Sequence, residues 1–208
     1  MSSISAEAEP RWRTERRDHI LGATVDLLRD GDPDQVQMDE VAAAAQVGKA
    51  TLYRYFPSKQ ALIVACFDSF ISELCDRVEA AEGCDAPPPE RLETIVGVAT
   101  AVLIRHKAFL RLLTRRKGEI DKDAHRTLMN RRERLLAAVR HNIEDGIASG
   151  HYRAADAELV PALILGMLRG ATLTDTRTPV EQIARTVADF ILNGLTRDAG
   201  QRAQTRKK

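Results

Sequence analysis

Apolar positions along this chain recur at helical rather than strand spacing. Over residues 13–30, Ile20, Ala23 and Leu27, together with Leu21, Val25 and Leu28, fall three or four apart, as one face of a helix requires. GDPD at 31–34 has the composition of a turn. Two short helices are expected next, at 38–45 and 49–56. Asp39 and Glu40 suit the positive end of the first, and Pro57 stops the second. Ser58 is a natural N-cap for a long helix to about Glu82, whose buried face should include Leu62, Phe67, Phe70, Leu74 and Val78. GCDAPPPE at 83–90 reads as a linker, and the domain boundary is expected there. Further helices are expected at about 89–105, 107–114, 121–148, 156–175 and 179–196, with breaks at Lys117-Gly118, Gly150 and Thr178-Pro179. The expected fold class is all-α, with about nine helices.

Composition agrees. The 208 residues are 44% hydrophobic and 4% aromatic, and Ala, Leu and Arg favour helix over strand. The formal net charge is +1, so any nucleic-acid surface must arise from local placement of Lys and Arg. Cys66, Cys75 and Cys84 are nine residues apart; an odd count at this spacing fits neither a disulfide framework nor a zinc pattern. The first 17 residues lack the apolar core of a signal peptide. No apolar run approaches the ~20 residues of a spanning helix. A cytoplasmic protein in a reducing compartment, with no membrane partner, is expected.

The most informative stretch is VAAAAQVGKATLYRYFPSK at 41–59. Small residues Ala42 to Ala45 let two helices cross closely, while Val41, Val47 and Leu52 are spaced to plug into their neighbours. A helix-turn-helix reads DNA from the N-terminal part of its second helix. Here that helix opens Lys49-Ala50-Thr51, so Thr51 can reach a base edge or a thymine methyl. Lys49 can meet a phosphate or a guanine, the hydroxyls of Tyr53 and Tyr55 suit phosphate oxygens, Arg54 adds charge, and Lys59 sits at the start of the next helix. Each has a blander alternative, with the tyrosines as half-buried packing and the lysines merely solvated. Leu52 and Phe56 are expected in the core. Arg11, Arg13, Arg16 and Arg17 could form a basic arm along the duplex or a solvated tail. The sequence leaves Trp12 undecided.

The pattern Val-Ala-x-x-Ala-x-Val-x-x-x-Thr-Leu-Tyr-x-Tyr-Phe-x-Ser-Lys-x-x-Leu at 41–62 resembles the DNA-binding domain of TetR-family transcriptional regulators, and the nine-helix outline is similar to that family as a whole. The resemblance implies DNA contact at Thr51, Tyr53, Tyr55 and Lys59. It also brings Gln37 and Ala50 into the candidate set, because they stand where the family commonly has a phosphate-touching Thr and a small Gly. Gln46 stands where the family has a turn Gly, and Gly48 where it has a capping Ser. The Thr and Ser contacts therefore do not carry over. The expected organisation is a flexible basic arm at 1–12, a DNA-binding helix-turn-helix domain at 13–57, a connecting helix at 58–82, a linker at 83–90, a ligand-binding and dimerisation domain at 91–196 and a flexible tail at 197–208.

Helix-turn-helix units commonly bind two half-sites as dimers, so a dimerising surface is expected on the last two helices. The candidates are Leu159, Leu163, Ile164, Met167 and Leu168 on one, with Ala162, Gly166 and Gly170 as a smooth stripe, and Val180, Ile183, Val187, Phe190, Ile191 and Leu195 on the other; the alternative is that this stripe packs within one subunit. The resemblance further implies a chamber for a small effector. Its candidate liners are Ile95, Val98, Val102, Phe109, Leu112, Leu128 and Leu135, and its polar candidates are Thr100, His106, Asn130 and Arg169. Residues 105–134 carry eleven Lys or Arg against four acids, which is either a solvated face or a seat for an anionic effector. The expected partners are double-stranded DNA, an effector and a second copy of the chain, with repression relieved by the effector and no cofactor or metal.

Rival readings are weaker. No GxSxG, P-loop or Gly-rich phosphate turn occurs, and His106, His125, His141 and His151 are scattered, so an enzyme is not expected. A redox-sensing regulator would have to work through Cys84, since Cys66 and Cys75 fall among apolar helix positions. A helical interaction protein without DNA binding would not need the Lys49, Thr51, Tyr53 and Lys59 set.

Overall fold

The computed structural model describes residues 10–28, 35–115, 122–174 and 177–196, and within these all side chains but 112–115, 122–125, 127 and 128. The 31–34 turn, the 197–208 tail, most of the arm, and the side chains of Leu112 and Leu128 lie outside them. Among the described residues the chain forms α1 (Arg11–Leu27), α2 (Met38–Ala44), α3 (Lys49–Tyr55), α4 (Lys59–Glu82), α5 (Pro88–Arg105), α6 (Lys107–Arg115), α7 (Lys122–Ala148), α8 (Leu159–Leu173) and α9 (Val180–Leu195). An isolated antiparallel bridge joins Tyr152 and Thr196.

Two compact units divide at Ser69/Phe70, inside α4. The Pro-rich 83–90 stretch, expected as the linker, lies after this division. Pro88 and Pro89 form the first turn of α5, where a fixed φ is preorganised and a missing N–H breaks no bond. The arm is also shorter than expected, because α1 already includes Arg11 and Trp12.

In the first unit α1 packs on α2, and α2 on α3. Ile20, Val41, Ala45 and Leu52 are fully buried there. The ring nitrogen Nε2 of His19 lies 3.0 Å from the Ala45 carbonyl, and the Arg17 guanidinium sits 5.7 Å from the Phe56 ring centre. Ser58 caps α4 as expected, accepting the Ala61 N–H at 3.1 Å.

In the second unit α5 packs against α6, α7, α8 and most extensively α9. Tyr152, in the turn after α7, is fully buried. Its hydroxyl donates to Asn142 Oδ1 at 3.1 Å and its N–H to the Gly146 carbonyl at 2.8 Å. A Cβ on Gly146 would lie 2.0 Å from that ring, so only glycine fits. The Arg153 N–H then donates to the Leu195 carbonyl at 2.8 Å, tying this turn to the end of α9.

A candidate nucleic-acid interface

Burial separates the two faces of α3. Leu52 and Phe56 are buried, whereas Lys49, Ala50, Tyr53 and Arg54 are exposed and Thr51 and Tyr55 half-buried. Every proposed DNA contact on this helix thus remains open to a partner, and the two proposed core residues are inside. Tyr53 is 45% exposed, a large aromatic left on the surface. Tyr55 leans on the Phe56 ring with centroids 6.5 Å apart, and the Arg54 guanidinium lies 5.8 Å from the Tyr55 ring.

The turn before α3 departs from ordinary backbone. Gln46 has φ +50, the left-handed region that costs an L-residue and that glycine adopts freely. The conformation brings the Val47 N–H to the Ala42 carbonyl at 2.9 Å, which closes the turn. Gly48 caps α3 with no side-chain bond.

Lys49 is not a free cation. Its ammonium lies 2.7 Å from the Asp39 carboxylate, and this hydrogen bond and charge raise its pKa above the usual lysine value. Sequence spacing did not expose this α2–α3 pair. Gln37 sits at the N-cap of α2, where its backbone N–H donates to the Glu40 carboxylate at 2.9 Å. Lys59 opens α4 and is half-buried.

The effector candidates in the second unit fare less evenly. A cavity of about 30 Å3 is lined by apolar side chains from α4 (Leu74, Val78), α5 (Ile95, Ala99, Leu103), α7 (Leu135) and α8 (Ile164, Leu168), among others. Ile95 and Leu135 were expected there. Val98, Val102, His106, Phe109 and Arg169 do not line it, and Asn130 is exposed. The α8 contribution was missed because its apolar residues had been assigned to a seam between subunits.

His106, between α5 and α6, is buried and stacks on Phe70 at 4.7 Å. Burial lowers its pKa, and Glu73, 3.4 Å from Nε2, only partly opposes that. Acids on α4 engage part of the basic 105–134 segment. Glu73 takes Arg105 at 3.5 Å, and Glu79 takes Arg134 at 2.7 Å. These two arginines are therefore held in ion pairs within the second unit.

Burial pushes the Cys66 thiol up to about 12 and also raises that of Cys75, whose Sγ donates to the Arg131 carbonyl at 3.4 Å. Neither is a reactive thiolate at neutral pH. Cys84 alone of the three is exposed. Among the described residues no group of His, Cys, Asp and Glu could hold a metal ion, and no helix is long and apolar enough to cross a membrane.

Residues 20–66 match the family described as bacterial regulatory proteins, tetR family. Residues 85–195, more than half of the chain, match the tetracyclin repressor-like C-terminal domain. The chain belongs to the TetR family. Its members are DNA-binding regulators of transcription rather than enzymes. Over 114 residues the chain is 34% identical to the transcriptional repressor KstR of Mycobacterium tuberculosis, covering 55% of this chain and 50% of that protein. The chain spans about half the length of the curated KstR relatives it matches. A Saccharomonospora viridis regulator solved with choline shares the fold at 20% identity and a TM-score of 0.75, over 89% of this chain and 100% of that one. Bacillus subtilis FadR, solved with stearoyl-CoA, shares it at 18% identity and a TM-score of 0.68, over 85% of this chain and 98% of that one.

Proposed function

We propose that this TetR-family chain is a homodimeric repressor that reads a two-fold operator through α3 and leaves it when a lipophilic effector enters the second unit. The observation that carries the reading is the exposed face of α3. Tyr53 and Arg54 are exposed and Thr51 half-buried, while Leu52 and Phe56 between and after them are buried. That is the arrangement a helix needs to enter a major groove while remaining anchored.

A second copy accounts for an exposed apolar face. Leu159 and Leu163 on α8 are each 54% exposed and Phe190 on α9 is 73% exposed. A Cβ on Gly166 or Gly170 would meet nothing within 4 Å, so this side of α8 is open to close approach by another helix. The expected seam is corrected on α9. Val187, Ile191 and Leu195 are buried within the chain, because α9 packs them on its own subunit, which leaves Phe190, also among the expected seam residues, as the outward anchor. Leu163, Gly166, Met167 and Gly170 remain the α8 contribution.

The wholly apolar lining of the second unit's cavity favours a lipophilic effector over an anionic one at that depth. A volume of about 30 Å3 holds roughly one water, so binding has to part the surrounding helices. α4 lines this cavity with Leu74 and Val78 and also carries Lys59 at its other end. A shift of α4 is thus the proposed link between effector and operator, and it works only by the effector's differential affinity for the two arrangements. The same fold accommodates choline in one relative and stearoyl-CoA in another, which is why the effector is argued from this chain's own lining.

The test is selection of duplexes from a randomised pool by the full chain, followed by gel shift with and without long-chain fatty acids, sterols and their thioesters. The reading expects a palindromic sequence and release by a lipophilic compound. Recovery of a single, non-repeated half-site, or tighter binding with every active compound, would reverse the dimer or the repressor part respectively.

A further inference from the structure

The first unit holds a concavity of about 290 Å3 between the start of α1 and α3. Trp12 and Arg16 line it from α1, and Thr51, Arg54 and Tyr55 from α3. Three features distinguish it from ordinary surface relief. Trp12 is 62% exposed, an unusual cost in exposed aromatic area for a residue fixed in a helix. The lining includes two guanidinium groups, an indole N–H and two hydroxyls but no carboxylate. The indole and guanidinium groups are donors only, the hydroxyls can donate, and the Gln46 amide, which also lines the concavity, both donates and accepts. Thr51 also belongs to the α3 face proposed to meet bases, so the concavity adjoins that face.

We infer that this concavity seats a stretch of duplex DNA backbone, with Arg16 and Arg54 on a phosphate and the Trp12 ring against the adjoining deoxyribose. A phosphate accepts hydrogen bonds and donates none, which matches a lining rich in donors and without acids. A sugar offers an apolar edge, which matches a flat indole face. The first two turns of α1 then act as part of the reading head and fix its register on the duplex, a positioning role distinct from base readout. Arg11, one turn from Glu15, is instead engaged with that residue at 2.8 Å, so Arg16 carries the phosphate contact. This inference rests on the DNA-binding reading.

The chain has one tryptophan, so intrinsic emission reports on this site alone. The test titrates the full chain with a duplex of about thirty base pairs enriched from a randomised pool, a length spanning two half-sites one helical turn apart with flanks. Binding is followed by anisotropy of a dye on the DNA, and the site by tryptophan emission. Emission should change in step with anisotropy. Trp12→Ala should weaken binding about tenfold, on the scale of one lost stacking contact, and Trp12→Phe by less. Arg16→Ala should lower the salt slope by about 0.9 per bound subunit. Unchanged emission on a duplex that anisotropy shows to be bound, or a Trp12→Ala protein binding as tightly, overturns the inference and leaves the regulator reading standing. No binding by the unaltered chain to any enriched duplex overturns both. Should a variant fail to fold, the emission titration of the unaltered chain still decides.

Discussion

The Lys49 ammonium and the Asp39 carboxylate are 2.7 Å apart, so one of the charges nearest the proposed operator is already spent on linking α2 to α3. Both side chains are more than 60% exposed, and such pairs add little to stability because water and salt screen them. The pair matters more for binding. Asp39→Asn frees Lys49 and removes a negative charge beside a polyanion. Affinity for an enriched duplex should rise severalfold, the effect of about one added phosphate contact, while the melting temperature changes little. Anisotropy at two salt concentrations, with a thermal melt of each protein, checks both parts.

Gln46 pays for its place in the turn with φ +50. Gln46→Gly removes a left-handed penalty of about 1 kcal/mol, against which the extra freedom of glycine in the unfolded chain counts for somewhat less. The variant should unfold at a slightly higher denaturant concentration with an unchanged slope. A lower midpoint would mean that the Gln46 side chain supports the turn in a way its geometry does not reveal.

Gly146→Ala should be the most damaging single-methyl change in the second unit. The new Cβ would fall 2.0 Å from the ring of Tyr152, which is fully buried and held by Asn142. Overpacking of a fixed core costs about 1–3 kcal/mol, and here the upper end is expected because the ring cannot swing aside. Chemical denaturation measures this, and Tyr152→Leu in the same chain should recover part of the loss.

How much of this was legible in the sequence depends on how local the cause is. Helix positions followed from apolar spacing and from breakers such as Pro57 and Gly150, and most boundaries fell within a few residues. The turn strain at Gln46 was also legible, since one residue type in one conformation decides it. The expected linker at 83–90 ends inside a helix, because proline signals a break without saying which side it belongs to, and Pro88 and Pro89 start α5. Pocket and seam residues were least legible. Both draw on the same apolar helix faces, and only the packing of α9 on α5 reveals that Val187 and Ile191 point inward while Phe190 points out. Likewise the Lys49–Asp39 pair joins two helices through a turn whose geometry periodicity does not encode.

His106 predicts a pH dependence. Burial lowers its pKa below the ordinary histidine value of 6.5, so the unfolded chain takes up a proton that the folded chain resists. Its contribution to stability is therefore present above about pH 6.5 and is lost as the pH falls toward the folded-state value. Unfolding midpoints at about pH 7.5 and 5.5 should differ more for the native chain than for His106→Gln, because only the former carries this proton linkage. Equal differences would show that acid sensitivity lies elsewhere.

The central claim is that the exposed face of α3 grips duplex DNA through phosphates and base edges. Its most direct test is the salt dependence of affinity for an enriched duplex, measured for the native chain and for Tyr53→Phe, which loses only a hydroxyl from a 45% exposed side chain. The account predicts a log–log slope of about −4 or steeper, as four or more neutralised phosphates require, and weaker binding by Tyr53→Phe at every salt concentration. A slope near zero, or no duplex enriched at all, would contradict it.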